Sequence, residues 1–313
     1  MAGLLATFVT LSIVLISATA APCQGKIDVR ADRITVEIDG RPFTSLHFGK
    51  ENGKPYLHPL LTASGKNVTR AFPMEQLPGD PTDHPHQRGL WIGAEHLSEI
   101  DFWENEPSYD RPRKGQIVVE RVQEQRSGRD EGSFTILAHW ISPEKETLIA
   151  ETLTMNFYAG RPGTRQFDVD LRLKAQKQVT FADNHDAILG LRLAPAFDES
   201  RGSRVVNAEG LQGSERVRGQ RSAWVDWQAD LQGEKVGIVV MDSPKNFRFP
   251  TRWHVRDYSL LFASPFAQRD YNPSEPDWSK TLQKGEELRL RYRILIHPPN
   301  IDVAAAFKEF STR

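Results

Sequence analysis

Cysteine is almost missing from this chain. The one present, Cys23, excludes an internal disulfide framework and any multi-cysteine metal site, so stability must come from packing. An excess of positive charge is missing too: 40 Lys and Arg stand against 41 Asp and Glu. Nothing therefore marks a nucleic acid or an anionic lipid as partner, and a small molecule or a glycan is expected instead. Beyond residue 22 no apolar run approaches the twenty or so residues that span a bilayer, so no membrane contact is expected apart from the N-terminal segment. The strings G-x-S-x-G, G-x-G-x-x-G, H-E-x-x-H and the P-loop are absent. That removes the usual signals for a serine nucleophile and for nucleotide cofactors. No internal repeat, low-complexity linker or break in composition divides the chain.

The N-terminus is different in kind. Residues 2–22 are apolar or small, and no charged side chain precedes Lys26. Leu4 to Ile16 forms an apolar h-region, and Ala18-Thr19-Ala20 is a small-x-small cleavage site. Residues 1–20 are read as a signal peptide and 21–313 as one exported domain, periplasmic or extracellular. The alternative is an uncleaved N-terminal anchor. Pro22 before Cys23 does not suit lipid attachment.

From Arg33 onward short alternating runs dominate. Ile34, Val36 and Ile38 alternate with polar residues and stop at Asp39-Gly40, a strand entering a tight turn. Return strands are expected over 43–48, 56–62 and 67–72. Further strands are expected over 116–123, 132–142, 224–231 and 235–242. Phe167, Val169, Leu171 and Leu173 alternate with charges, which gives one wet and one buried face. Leu288 to Ile296 repeats this pattern. Residues 200–219 read as loop, and Val303 to Phe310 as a short helix. Strands at hairpin spacing with almost no helical period predict an all-β fold, a large antiparallel β-sandwich or super-sandwich with a short C-terminal helix.

The chemistry concentrates between Asp83 and Glu104, D-H-P-H-Q-R-G-L-W-I-G-A-E-H-L-S-E-I-D-F-W-E. Pro85 disfavours helical backbone at His84, and in an extended chain residues two apart share a side. His84 and His86 are thus expected to present both imidazoles to one surface. In Trp253-His254-Val255-Arg256-Asp257-Tyr258 the same rule puts His254, Arg256 and Tyr258 together. A sugar site needs an acid, a base and a stacking platform. The catalytic candidates are His84, His86, Asp101 and His254. Trp91 and Trp103 are candidate platforms, with core packing as the alternative for each. Arg88 and Arg256 are placed to hold hydroxyls or a carboxylate, or else to form structural ion pairs. Glu104 is a further carboxylate, and His185 in Asp183-Asn184-His185-Asp186 a further imidazole. Asn67-Val68-Thr69 is formally a glycosylation acceptor.

Together with Thr69-Arg70-Ala71-Phe72-Pro73-Met74-Glu75, Trp253 to Tyr258 and the tail Leu288 to His297, the central segment resembles the bacterial PmoA-like family. The resemblance runs from about Tyr56 to the C-terminus. It adds Arg70 and Glu75 to the candidate binding residues. It implies an exported β-rich protein, of a kind met in bacteria that degrade complex glycans. It does not extend to membrane methane oxygenase activity, which needs several spanning helices. The chain departs from the family pattern at Gln87, at Ala94-Glu95-His96 and at His185-Asp186, which bears on any shared histidine site.

The expected function is therefore an exported carbohydrate-active protein, a hydrolase or lyase with a His/carboxylate acid–base site. Two alternatives stay open. One is a metal-dependent enzyme in which His84, His86 and a carboxylate, with His185 or His254 as a further ligand, hold a divalent metal. The other is a non-catalytic glycan-binding protein. No cofactor beyond that possible metal is expected.

Overall fold

The computed structural model describes residues 24–312. The signal-peptide reading, and Cys23 with it, lies outside the described residues. In chain order the strands are β1 (Gly25–Val29), β2 (Arg33–Ile38), β3 (Arg41–His47), β4 (Tyr56–Leu60), β5 (Leu90–Ala94) and β6 (Gln116–Arg126). Then come β7 (Glu131–Ile141), β8 (Thr147–Tyr158), β9 (Arg165–Ala175), β10 (Val179–Phe181), β11 (Ala187–Arg192) and β12 (Arg204–Asn207). The last are β13 (Trp224–Leu231), β14 (Glu234–Asp242), β15 (Arg252–Arg256), β16 (Leu260–Ser264), β17 (Lys280–Leu282) and β18 (Glu287–His297). A four-residue helix α1 (Ser214–Val217) precedes β13, and α2 (Val303–Ser311) follows β18. No described helix is long and apolar enough to cross a membrane.

Alternation decides the architecture. Along β9 the side chains of Phe167, Val169, Leu171 and Leu173 are buried, and along β18 so are Leu288, Leu290, Tyr292, Ile294 and Ile296. These two strands pair antiparallel in full register from Arg165↔Ile296 to Lys174↔Glu287. They lie in an eight-stranded sheet of order β12-β13-β14-β18-β9-β8-β7-β6. The facing eight-stranded sheet runs β1-β2-β3-β4-β5-β11-β16-β15. Ile34, Val36, Leu57, Leu90, Leu189, Leu191, Leu261 and Trp253 project from it into the shared core. The all-β sandwich with a short C-terminal helix is thus realised, and α2 is capped by the Asp302 side chain accepting from the Ala305 amide at 2.9 Å.

Three local expectations change. A strand, β1, precedes Arg33 and pairs with β2, although Ile27 and Val29 alone give a weak alternating signal. Residues 200–219 are not plain loop, since they hold β12 and α1, which pack on β13 and β15. Residues 67–72 form isolated bridges, Leu61↔Asn67 and Thr69↔Leu193, because the chain crosses the end of the sheet there and does not run along a neighbour.

The outer face of the first sheet positions the site. Tyr56, Trp91, Gly190, Phe262 and His254 are successive cross-strand neighbours on it. Tyr56, Trp91, Trp103, Leu260 and Phe262 form an aromatic layer separate from the main core. Two glycines let this layer lie flat. A Cβ on Gly190 would sit 2.3 Å from ring carbons of Trp91, and one on Gly93 would sit 2.5 Å from the Phe102 carbonyl. The Trp91 ring cannot move aside, because Trp103 (centroids 5.2 Å) and Phe262 (5.8 Å) hold it. Gly190→Ala is therefore expected to destabilise the protein by about 1–3 kcal/mol, the usual overpacking cost, read from urea unfolding.

Candidate functional site

Loops laid over this aromatic floor carry the polar residues. His84 is not extended as expected: its φ is 46°, and the chain turns at Pro85-His86, with the Gln87 amide donating to the His84 carbonyl at 3.0 Å. The cause is tertiary. Arg70 is fully buried, and its guanidinium donates to the Asp83 carbonyl (2.8 Å), Asp83 Oδ1 (2.7 Å), the His84 carbonyl (2.8 Å) and the Gln87 carbonyl (3.2 Å). A turn can gather three carbonyls on one cation, whereas an extended chain points them apart. Arg192 of β11, also buried, donates to Gln87 Oε1 at 2.7 Å and packs its guanidinium over the Tyr258 ring at 4.5 Å.

The two imidazoles still meet, with centroids 5.7 Å apart and planes at 74°. Their surroundings differ. His84 is open to solvent and hydrogen-bonded through Nδ1 to Asp83 Oδ2 at 2.6 Å, and Tyr258 lies parallel to it at 6.1 Å. His86 is 2% exposed; its Nδ1 shares a hydrogen bond with the Tyr109 hydroxyl (3.0 Å), and its Nε2 faces Glu104 Oε1 at 3.8 Å. Burial first, then Lys54 and the other cations around it, push His86 down to about 2, so it is a neutral imidazole.

A second pair of histidines stands at the far end of the same floor. His185, in the turn before β11, stacks on His254 of β15 with centroids 4.1 Å apart and planes 9° from parallel. Two rings so close cannot both carry charge at low cost, and the surroundings choose between them. His254 Nδ1 shares a hydrogen bond with the Tyr271 hydroxyl at 2.9 Å. Burial, then His185, Arg256 and Arg218, push His254 down to about 2. His185 Nδ1 is hydrogen-bonded to the Asp270 carboxylate, and its Nε2 turns toward Asp186 Oδ1 at 3.7 Å. Burial works to lower the His185 pKa, but the bond to Asp270 and the charges of Asp186, Asp270 and Glu95 outweigh it, and the net shift is upward.

Carboxyls fill the space between. Burial lifts Asp186 to about 7, with Glu95, Glu104 and Asp270 adding to the lift and His185 opposing it. Glu104 is also raised, by burial first, with Glu95 and Asp101 adding and Arg111 opposing. Asp186 is in electrostatic reach of both Glu104 and Tyr258, so the two histidine pairs border one acidic patch.

The remaining candidates divide. Asp101 and Glu104 belong to the patch, and Asp101 Oδ1 accepts from the Trp103 (2.7 Å) and Glu104 (2.8 Å) amides. Tyr258 and Arg256 lie beside it, with the Arg256 guanidinium 5.5 Å from the Tyr258 centroid. Trp91 and Trp103 are each 1% exposed, so they floor the site and offer no face for stacking. Arg88 is held by Glu106 (3.1 and 2.5 Å) and lies over Tyr56, which is the structural ion-pair alternative. Glu75 is exposed on the turn after Ala71 and takes no part in the network. The metal reading built on His84 and His86 also changes. The residues whose ligand atoms converge among the described residues are Glu95, Asp101 and Glu104, and His84 Nδ1 is already bonded to Asp83.

Sequence reasoning missed Tyr109, Arg111, Arg192, Asp270 and Tyr271. Four of these sit in polar loops with no period to mark them. Arg192, a lone cation in the apolar run Ala187 to Leu193, did carry a signal. Replacing Arg70 by Met leaves three carbonyls of the 83–87 turn without their donor, the Gln87 one buried and the Asp83 and His84 ones partly so. We expect a loss of about 3 kcal/mol or more in urea unfolding, with faster amide exchange confined to residues 83–88.

Comparison with known proteins completes the description. No curated protein matches the sequence. Among solved structures the chain is similar to a polysaccharide lyase, with 11% identity and a TM-score of 0.35 over 93% of this chain, although the chain spans only 35% of that protein. It is similar to a galactose mutarotase related enzyme from Lactobacillus acidophilus, with 9% identity and a TM-score of 0.39 over 87% of this chain and 97% of that one. It is also similar to the GalM/aldose epimerase homologue from C. elegans, with 10% identity and a TM-score of 0.33 over 89% of this chain and 100% of that one. The resemblance to PmoA-like proteins is corrected by the family comparison, which fits a different model over nearly the whole described chain. With residues 33–311 matched, the protein belongs to DUF6807, a family of unknown function.

Proposed function

We propose that the protein is an acid–base enzyme acting on a carbohydrate, with His185 as base, Asp186 as the adjoining proton donor and Asp270 as the group that orients the imidazole. One observation carries this reading: Asp270 holds His185 Nδ1, leaving Nε2 aimed at Asp186 across a partly open patch. A carboxylate on one ring nitrogen fixes the tautomer and turns the other nitrogen toward a substrate. His254 supports the ring from behind as a stacked, neutral imidazole. An imidazole base beside a carboxyl suits proton transfer at a sugar C–H or O–H, the chemistry of a lyase or epimerase. Hydrolysis of a glycosidic bond generally uses two carboxylates astride that bond, so the lyase or epimerase class is favoured over the hydrolase.

The sugar class rests on the mixture of groups at the border. Carboxyls, imidazoles, the Tyr258 phenol and the Arg256 and Arg192 guanidiniums offer donors and acceptors in turn, as a polyol requires. A purely non-catalytic glycan-binding role is less well supported, because the tryptophans it would use for stacking are buried. Export of the mature chain remains part of the proposal, on the strength of the N-terminal sequence.

The test is the pH profile of kcat/KM on a panel of oligosaccharides and free sugars. Activity should rise with pH through a value above the ordinary histidine pKa, because His185 must lose its proton to act and Asp270, Asp186 and Glu95 hold that proton on. It should fall again at higher pH as Asp186, lifted by burial to about 7, loses the proton it must donate. Asp270→Asn removes the carboxylate charge, so burial then dominates and the rise should move to lower pH while kcat falls. His185→Ala should lower kcat by about 10²-fold or more with the fold intact by circular dichroism. Unaltered turnover in His185→Ala, or a pH profile that ignores Asp270→Asn, refutes the assignment.

A further inference from the structure

The carboxylates of Glu95, Asp101 and Glu104 each place one oxygen within 4.8 Å of the other two. Three like charges at that spacing repel, so the arrangement calls for a cation. Convergence alone does not identify one, but two independent features point the same way. His86 is 98% removed from solvent, taking 2% exposure at its side chain, and Tyr109 engages its Nδ1. The ring is thereby fixed with Nε2, which makes no hydrogen bond, directed at Glu104 Oε1 3.8 Å away. An imidazole with Nδ1 tied to a hydroxyl and Nε2 turned toward a carboxylate cluster is oriented as metal-ligating histidines are. The second feature is Asp101. The Trp103 and Glu104 amides fix its Oδ1, and its Oδ2 is buried with no hydrogen bond, facing only the Arg111 guanidinium at 3.6 Å. A buried carboxylate oxygen left in that state calls for a water or an ion.

We propose that Glu95, Asp101 and Glu104 hold a divalent cation, with the His86 imidazole adjoining it at Glu104, and that the Arg111 guanidinium competes for the site. Arg111 ion-pairs with Glu104 and stands 3.6 Å from Asp101 Oδ2, yet its side chain is 45% exposed on the loop between β5 and β6. Three carboxylate oxygens and no thiolate select a hard cation such as Mn²⁺ or Ca²⁺ over a sulfur-preferring one. This site is separate from the His185–Asp270 pair and does not depend on the acid–base reading, since its occupancy is measured without turnover.

Isothermal titration of chelator-treated, tag-free full-length protein with MnCl₂, repeated with CaCl₂, tests it. One saturable site per chain is expected, with Mn²⁺ broadening its electron paramagnetic resonance signal on binding. Glu104→Gln should weaken affinity by more than about tenfold, and Tyr109→Phe, which frees the His86 ring, by about tenfold. Arg111→Ala should tighten binding, because the competing guanidinium is gone. That exposed substitution keeps the test meaningful should a buried variant fold poorly. The proposal is overturned if neither the wild type nor Arg111→Ala shows saturable binding, if Glu104→Gln binds unchanged, or if Arg111→Ala binds more weakly. Loss of sugar turnover in His185→Ala with cation binding retained would leave it standing.

Discussion

A single buried guanidinium sets the shape of the site. Arg70 is fully enclosed, which is costly for a cation, and the cost is offset by charge-assisted bonds to Asp83 and to three carbonyls of the 83–87 turn. Burial, with Arg192 nearby, lowers the Arg70 pKa to about 10, against the pull of Asp83, so the guanidinium stays charged at neutral pH. Because the bonds go to backbone, they dictate the path of the loop itself. His84 takes its left-handed conformation, and His86 is carried under Tyr109, as consequences of that one cation.

The floor beneath depends on atoms that are missing. Gly190 and Gly93 occupy positions where any side chain would collide with the Trp91 ring or with the Phe102 carbonyl. Their bareness lets the segment around Trp103 cross the sheet and lets three large rings pack over β5, β11 and β16, Phe262 edge to face with both tryptophans and the tryptophans tilted against each other. The polar loops therefore rest on a rigid apolar layer. This explains how imidazoles and carboxyls set so close together can be held in distinct protonation states.

Those states follow from unequal surroundings of like groups. His86 and His254 are enclosed and bonded to phenols, so burial keeps them neutral. His185 is bonded to a carboxylate and keeps its proton more readily. Asp186 and Glu104 face other acids and are raised, while Asp270 is lowered, chiefly by its bond to His185. Separation of pKa values among neighbouring groups is how a fold assembles an acid and a base in one place.

Sequence alone indicated the all-β sandwich, because alternation along segments such as Phe167 to Leu173 and Leu288 to Ile296 leaves each strand one apolar face that must be covered by a second sheet. It also singled out Asp83–Glu104 and the His254 strand, which the fold brings to the outer face of one sheet, with His254 on the side opposite Trp253 and Val255. It misjudged His84, whose conformation is imposed by Arg70 from another part of the chain, and it left the tryptophans open between platform and core, since their exposure depends on what covers them. Only the tertiary structure brought Asp270 to His185 and Tyr109 to His86, because loop-to-loop contacts across 85 and 23 residues leave no period in the sequence.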